Sequence, residues 1–179
     1  GNFQFPLALD IYENGKPSRK NVWVSAKDKN DFTFPVSKNP DFINLNADGV
    51  ILGEFTGDKT PEQYFAQYSN SKEFLSRYKA VEKAAENIGA NPASLKTLVA
   101  ALKDSNFRIR MKALSGLDLS KADQAKAALA EVEKMASNDP KTLVQAAAIS
   151  ALAKTKDKKY LPVFEKGMNA VSNSVKGSS

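Results

Sequence analysis

Three groups of residues in this chain are of types and spacing that could do chemistry. In "NLNADGVILGEF", Asn44, Asn46, Asp48 and Gly49 take the first, third, fifth and sixth places of a calcium loop. Its last place is Phe55, where a bidentate glutamate is needed, and Glu54 stands one residue early. The flanks read as strands, so a hairpin turn is the favoured reading. Glu82 with Glu86, and Glu131 with Glu133, could be offered as acid/base carboxylates. Lys83 and Lys134 adjoin them on helices that look exposed, which makes them solvated faces. The third stretch, "LKDSNFRIRMKALSGL" from Leu102 to Leu117, puts Asp104 at a turn and Arg108, Arg110 and Lys112 in the helix after it. It could be part of an active site, a basic recognition helix, or one tile of a helical stack.

Composition narrows the choice. The 179 residues include no cysteine and no histidine. Disulfides, thiolate metal sites, cysteine nucleophiles, Ser-His-Asp triads and HExxH zinc sites are all excluded within the chain. Catalysis inside it would have to run on carboxylates, Lys, Tyr or Ser, and no Gly-rich phosphate loop is present. A cysteine-free chain suits an envelope or a cytosolic compartment alike. No apolar run approaches the ~20 residues of a membrane span. The chain opens with Gly1 and a strand-like run rather than with Met, which points to a fragment of a longer protein.

The net charge of +6 is unevenly placed: residues 1–59 carry −1 and the remainder +7. Of the 26 basic residues 22 are lysine, spread along helix faces rather than clustered with aromatics, so a solvated surface is expected and a nucleic-acid partner is not. "KTKDKKY", Lys154–Tyr160, sits where a helix ends, and lysines there suit the C-terminal dipole. Trp23 lies in a strand and is expected in the core or at an interdomain contact.

Two halves must position these residues. Residues 3–56 alternate with a period of two: Phe3, Phe5, Leu7, Leu9 and Ile11, then Val22 and Val24, then Phe32, Phe34 and Val36, then two short runs around Asn46–Gly49. Asn14-Gly15 marks a hairpin. A small antiparallel β-sandwich is predicted for residues 1–58. From Thr60 the spacing shifts to three and four, with a capping box in "Thr60-Pro61-Glu62-Gln63" and with Pro92 and Pro140 at helix starts. Residues 59–179 are predicted to form an α-α superhelix.

Within the helical half, an offset of 35 maps Asp104, Ile109, Ala113, Leu114, Ser115 and Leu117 onto Asp139, Val144, Ala148, Ile149, Ser150 and Leu152. Leu95 and Leu98 map onto Leu129 and Val132 with an offset of 34. Arg77, Ala80, Val81 and Ala84 form a weaker copy 33 residues before Arg110, Ala113, Leu114 and Leu117. Helix, Asp-containing turn, helix, repeated about two and a half times, is the plan of an α-solenoid. The turn Asp and helix Arg resemble the HEAT/ARM pattern. Asp104 and Asp139 are expected to cap helix N-termini, and Gln145 in place of Arg110 should interrupt any Asp–Arg ladder. The large apolar residues become a seam, and the third stretch becomes a tile.

The chain also resembles the non-catalytic C-terminal region of the aminopeptidase N-like zinc metallopeptidases, the gluzincin aminopeptidases. The residues carrying this are "FQFPLALDIYENGK", "DFTFPVSKNPDFINLNADGVILGEF" and "TPEQYFAQYSNSKEFLSRYKAVEKAA", with "DSNFRIRMKALSGL" and "DPKTLVQAAAISALAKTKD" similar to later helices. The family's GxMEN and HExxH motifs belong to an upstream domain and match no position here, so no catalytic, cofactor-binding or metal residue carries over. The resemblance implies a parent that removes N-terminal residues from peptides with one zinc in its own catalytic domain. This segment would pack on that domain and enclose the chamber that receives peptide substrates. A stand-alone HEAT-like protein-interaction module is the alternative.

Overall fold

A tight turn sets the first sheet. In the computed structural model, which describes residues 3–53, 55, 57–170 and 172–179, Asn14 and Gly15 both have positive φ, 53° and 73°. This is the two-residue turn whose twist matches a hairpin. It joins β1 (Phe5–Glu13) to β2 (Lys16–Val24), with Phe5 opposite Val24 and Glu13 opposite Lys16. A short β3 (Phe42–Leu45) pairs antiparallel with the other edge of β1, giving the order β2-β1-β3. Tyr12 faces Phe42 across this pair and their rings stack at 4.1 Å. The central strand is buried from Leu7 to Tyr12, and Arg19 on β2 grips the buried Asp10.

The predicted sandwich is replaced by this single three-stranded sheet among the described residues. "DFTFPVS" is not a strand. Pro35 removes a donor from the middle of that run, and the chain beyond it is held by side chains instead. Ser37 donates to the Glu13 carboxylate from N–H and O–H at 2.9 and 2.6 Å. After Asn46 the expected second run does not pair through the described residues 50–53. The Asn46 amide donates to Ile51 O and accepts from Ile51 N–H, at 2.9 and 3.2 Å, so a side chain takes the groups a ladder would need. Glu54 and Thr56, also in that run, lie outside the described residues.

Eight α-helices follow among the described residues: α1 (Pro61–Asn70), α2 (Phe74–Glu86), α3 (Pro92–Ala101), α4 (Phe107–Gly116), α5 (Ala122–Asn138), α6 (Thr142–Ala153), α7 (Leu161–Met168) and α8 (Asn173–Lys176). The Thr60 capping box forms as expected: Gln63 N–H donates to Thr60 Oγ1, and Thr60 N–H donates to Gln63 Oε1. Pro92 opens α3, whereas Pro140 lies two residues before α6. Helix α1 packs on α2, α3 on α4 and α5 on α6, which makes three helical hairpins. Helices α1, α3 and α5 form one layer and α2, α4 and α6 the other. The first hairpin completes the copy that is weakest in sequence.

The apolar seam residues related by the 35-residue offset fall inside, whereas Ser115 and Ser150, related by the same offset, are exposed. Ile109, Ala113, Leu114 and Leu117 are buried, and so are Val144, Ala148, Ile149 and Leu152. They belong to one apolar cluster running from Val81 to Val175, and the buried residues of the sheet stand outside it. The first hairpin of helices meets the sheet through polar contacts, such as Ser76 Oγ to Asn44 Oδ1 at 3.3 Å.

Candidate interaction surface

The Asp and Arg residues of the turns are structural, and their geometry shows how the stack keeps register. Arg110 donates to Asp139 through Nε and Nη2 at 2.8 and 2.7 Å. Its third nitrogen, Nη1, donates to Asp104 O and Ser105 O of its own turn. Arg77 reaches Asp104 in the same sense, Nε to Oδ2 at 3.1 Å. Each arginine therefore ties its own repeat to the turn of the next. Gln145 keeps the local half of this pattern, Nε2 to Asp139 O at 2.7 Å, and among the described residues makes no side-chain bond to a following turn. The ladder ends there, as the substitution predicts.

Asp104 and Asp139 do not cap helices as expected. Each carboxylate accepts the N–H two residues on, Asn106 at 2.8 Å and Lys141 at 2.9 Å, which closes an Asx turn before the helix. The N-cap of α4 is Asn106, whose Oδ1 accepts from Arg108 N–H. Asp139 instead closes the end of α5. The same carboxylates accept from an arginine of the preceding repeat, Asp104 from Arg77 and Asp139 from Arg110.

The outer face of α2, α4 and α6 carries a different feature. Phe74, Leu75 and Tyr78 on α2, Phe107, Arg108, Met111, Lys112 and Ser115 on α4, and Leu143 on α6 line a groove of about 670 Å³. Leu75 and Leu143 are 55% and 48% exposed. Lys112 Nζ lies 5.7 Å from the Tyr78 ring, and Arg108 and Lys141 each lie 5.8 Å from that of Phe107. Lys112 also donates to Glu82 at 2.9 Å.

A family model described as HEAT repeats matches residues 63–153, half of the chain. The chain belongs to the HEAT-repeat family. No curated protein matches it. The matched segment runs from α1 to the end of α6, the three hairpins described above. In this HEAT stack the groove follows the repeat. The offsets of 33 and 35 place Leu75, Arg108 and Leu143 at one position of successive second helices. Phe74 and Phe107 share another, and Tyr78 and Met111 a third. The offsets that mark the buried seam hold equally for these outward positions, and they are the signal in the sequence for this stripe.

The remaining candidates disperse. Asp48 meets Arg19, Asn44 meets Ser76 and Asn46 holds Ile51, so the calcium-like run is a turn with Asn46 and Gly49 at positive φ. No cluster of three or more acidic side chains suited to a metal ion occurs among the described residues. Glu86 pairs with Lys83 on its own helix. Glu82 and Glu133 instead bridge helices: Glu133 accepts from the Tyr160 hydroxyl at 2.6 Å and lies 3.4 Å from Lys159. Glu131 lies 3.4 Å from Lys103. In "KTKDKKY" the α6 helix closes at Lys154, Lys156 takes a positive φ, and Lys158–Tyr160 form a 3-10 turn. Trp23 is not in the core: it sits 57% exposed on an edge strand, since β2 pairs on one side only.

One group the sequence did not single out is Lys59, at the junction of sheet and helices. Its Nζ donates to Gln67 Oε1 at 2.8 Å, and the buried Gln67 passes the bond on to Ser76 O at 2.8 Å. Burial, with Lys79 nearby, pulls the Lys59 amine down to about 8. No helix among the described residues is long and apolar enough to cross a membrane.

Proposed function

We propose that this HEAT-repeat chain is a protein-interaction module whose working surface is the α2–α4–α6 face. The observation that carries this reading is the groove. Large apolar side chains recur there at equivalent positions of successive repeats, where a merely solvated helix face would carry polar groups. Repeats that stack into a continuous surface suit extended partner contacts. The test is a photo-crosslinking amino acid placed at Leu75 or at Leu143 in the producing cells. Discrete cross-linked proteins are expected from both positions and not from Lys126 on the opposite layer. Identical patterns from the two faces would remove the reading.

A second reading, favoured by the resemblance to gluzincin aminopeptidases, makes the partner a neighbouring domain of the same protein. Its support is the exposed apolar side chains Phe3, Trp23, Val50 and Leu52 of the N-terminal half, the kind of surface that an adjoining domain covers. In this reading residues 1–58 are a spacer and residues 59–179 a lid over a zinc-containing catalytic domain. The chain itself would then show no peptidase activity and retain no stoichiometric zinc. The gene sequence upstream of Phe3 decides: an HExxH motif supports the reading, and its absence ends it.

A further inference from the structure

We propose that the α2–α4–α6 groove binds an acidic amphipathic helix of a partner protein, about 11 to 14 residues long. This rests on the interaction reading above and specifies the chemistry of the occupant. The floor is apolar, built from Phe74, Tyr78, Phe107 and Met111, with Leu75 and Leu143 standing up at its two ends. The charges that rim it are cationic. Arg108 and Lys141 both lie over the Phe107 ring, and neither is in an ion pair among the described residues. Lys112 shares its charge with Glu82, the one carboxylate bonded at this rim among the described residues. An incoming carboxylate beside Arg108 or Lys141 would therefore neutralise a standing charge, and an incoming lysine would meet repulsion.

The floor also selects the form of the occupant. It consists of helix faces and has no strand edge along it. An extended peptide laid there would leave its backbone N–H and C=O groups against apolar side chains, whereas a helix satisfies its own. Three neighbouring helices at the usual 8–10 Å spacing span about 16–20 Å, which sets the length given above at 1.5 Å per residue.

The test uses the full chain and fluorescein-labelled peptides of about 16 residues. These carry Leu or Phe anchors at helical spacing and Glu on the flanks, and matched peptides carry Lys in place of Glu. Anisotropy titration should show saturable binding of the acidic peptides, at least about tenfold tighter than their basic counterparts and weakened by salt. The double variant Arg108→Glu/Lys141→Glu should reverse the preference, and Met111→Asp should weaken both peptide classes, with circular dichroism confirming the fold of each variant. Equal binding of the two classes, or a preference that the charge reversal leaves in place, overturns the proposal. If the acidic peptides fail while cross-links from Leu75 and Leu143 persist, the acidic-helix proposal falls alone. If the cross-links are also indiscriminate, the interaction reading falls with it.

Discussion

Arg110 and Asp139 meet through two parallel hydrogen bonds with their side chains only 10% and 5% exposed. Losing one partner strands a buried charge, at a cost of about 3–5 kcal/mol, whereas a well-packed apolar pair in both places can be neutral. Urea unfolding should therefore show Arg110→Ala and Asp139→Ala each strongly destabilising, with Arg110→Met/Asp139→Leu losing much less than the two single losses added together, since only the bonds to Asp104 O, Ser105 O and Lys141 N–H are then missing. A loss under about 1 kcal/mol for the single variants would show the pair to be solvated and weak. Lys59 makes a second prediction. Its amine is held at about 8, below its usual value of 10.5, so the unfolded chain binds more protons between those values. Stability should then rise as pH climbs from about 8 towards 10, by on the order of 1–2 kcal/mol after allowing for partial exposure. Tyr68, whose phenol is pushed up by burial, opposes this only above its ordinary range near 10. Lys59→Met should abolish the rise in a pH series of thermal melts. A curve that keeps its slope without Lys59 would assign the effect elsewhere.

Among the elements, the helices followed local signals closely because their stop and start chemistry is short-range. Thr60, Asn91 and Asn106 each bond the N–H groups that a helix leaves free, and α1, α3 and α4 begin where those residues stand. Strands need a partner elsewhere in the chain, and alternation does not supply one. The run from Phe32 to Val36 has the period of a strand and no ladder. Close approach between helices is also invisible in a single element. A Cβ on Gly116, the last residue of α4, would lie 2.6 Å from Ala85 Cβ and 3.1 Å from Leu98 Cδ1. Gly116→Ala should thus force α4 away from α2 and α3 and cost about 1–3 kcal/mol, despite the better helix propensity of alanine. Thermal melts check this, and a stabilised variant would mean that the helices have room to shift.

At the scale of the whole molecule, the helical cluster from Val81 to Val175 excludes the buried residues of the sheet. Residues 59–179 prepared alone should keep their helical circular dichroism and unfold in one cooperative transition, at a somewhat lower midpoint because contacts such as Ser76 to Asn44 are lost. A molten, non-cooperative product would mean that the sheet is part of the helical core. What the sequence determined by itself was what repeats or is local: the Asn14-Gly15 turn, the Thr60 cap, the change from strands to helices, and the seam that the 35-residue offset predicts. Tertiary structure alone decided which strand-like runs found a partner, that Asp104 and Asp139 turn towards an arginine of the preceding repeat, and that Lys59 is half-buried beside Gln67. It also decided that the repeated positions Leu75, Arg108 and Leu143 stand exposed along one groove. The reason is physical. Caps, turns and helical period act over a few residues, whereas ladder partners, buried charges and grooves depend on residues about 30 positions apart that only packing brings within reach.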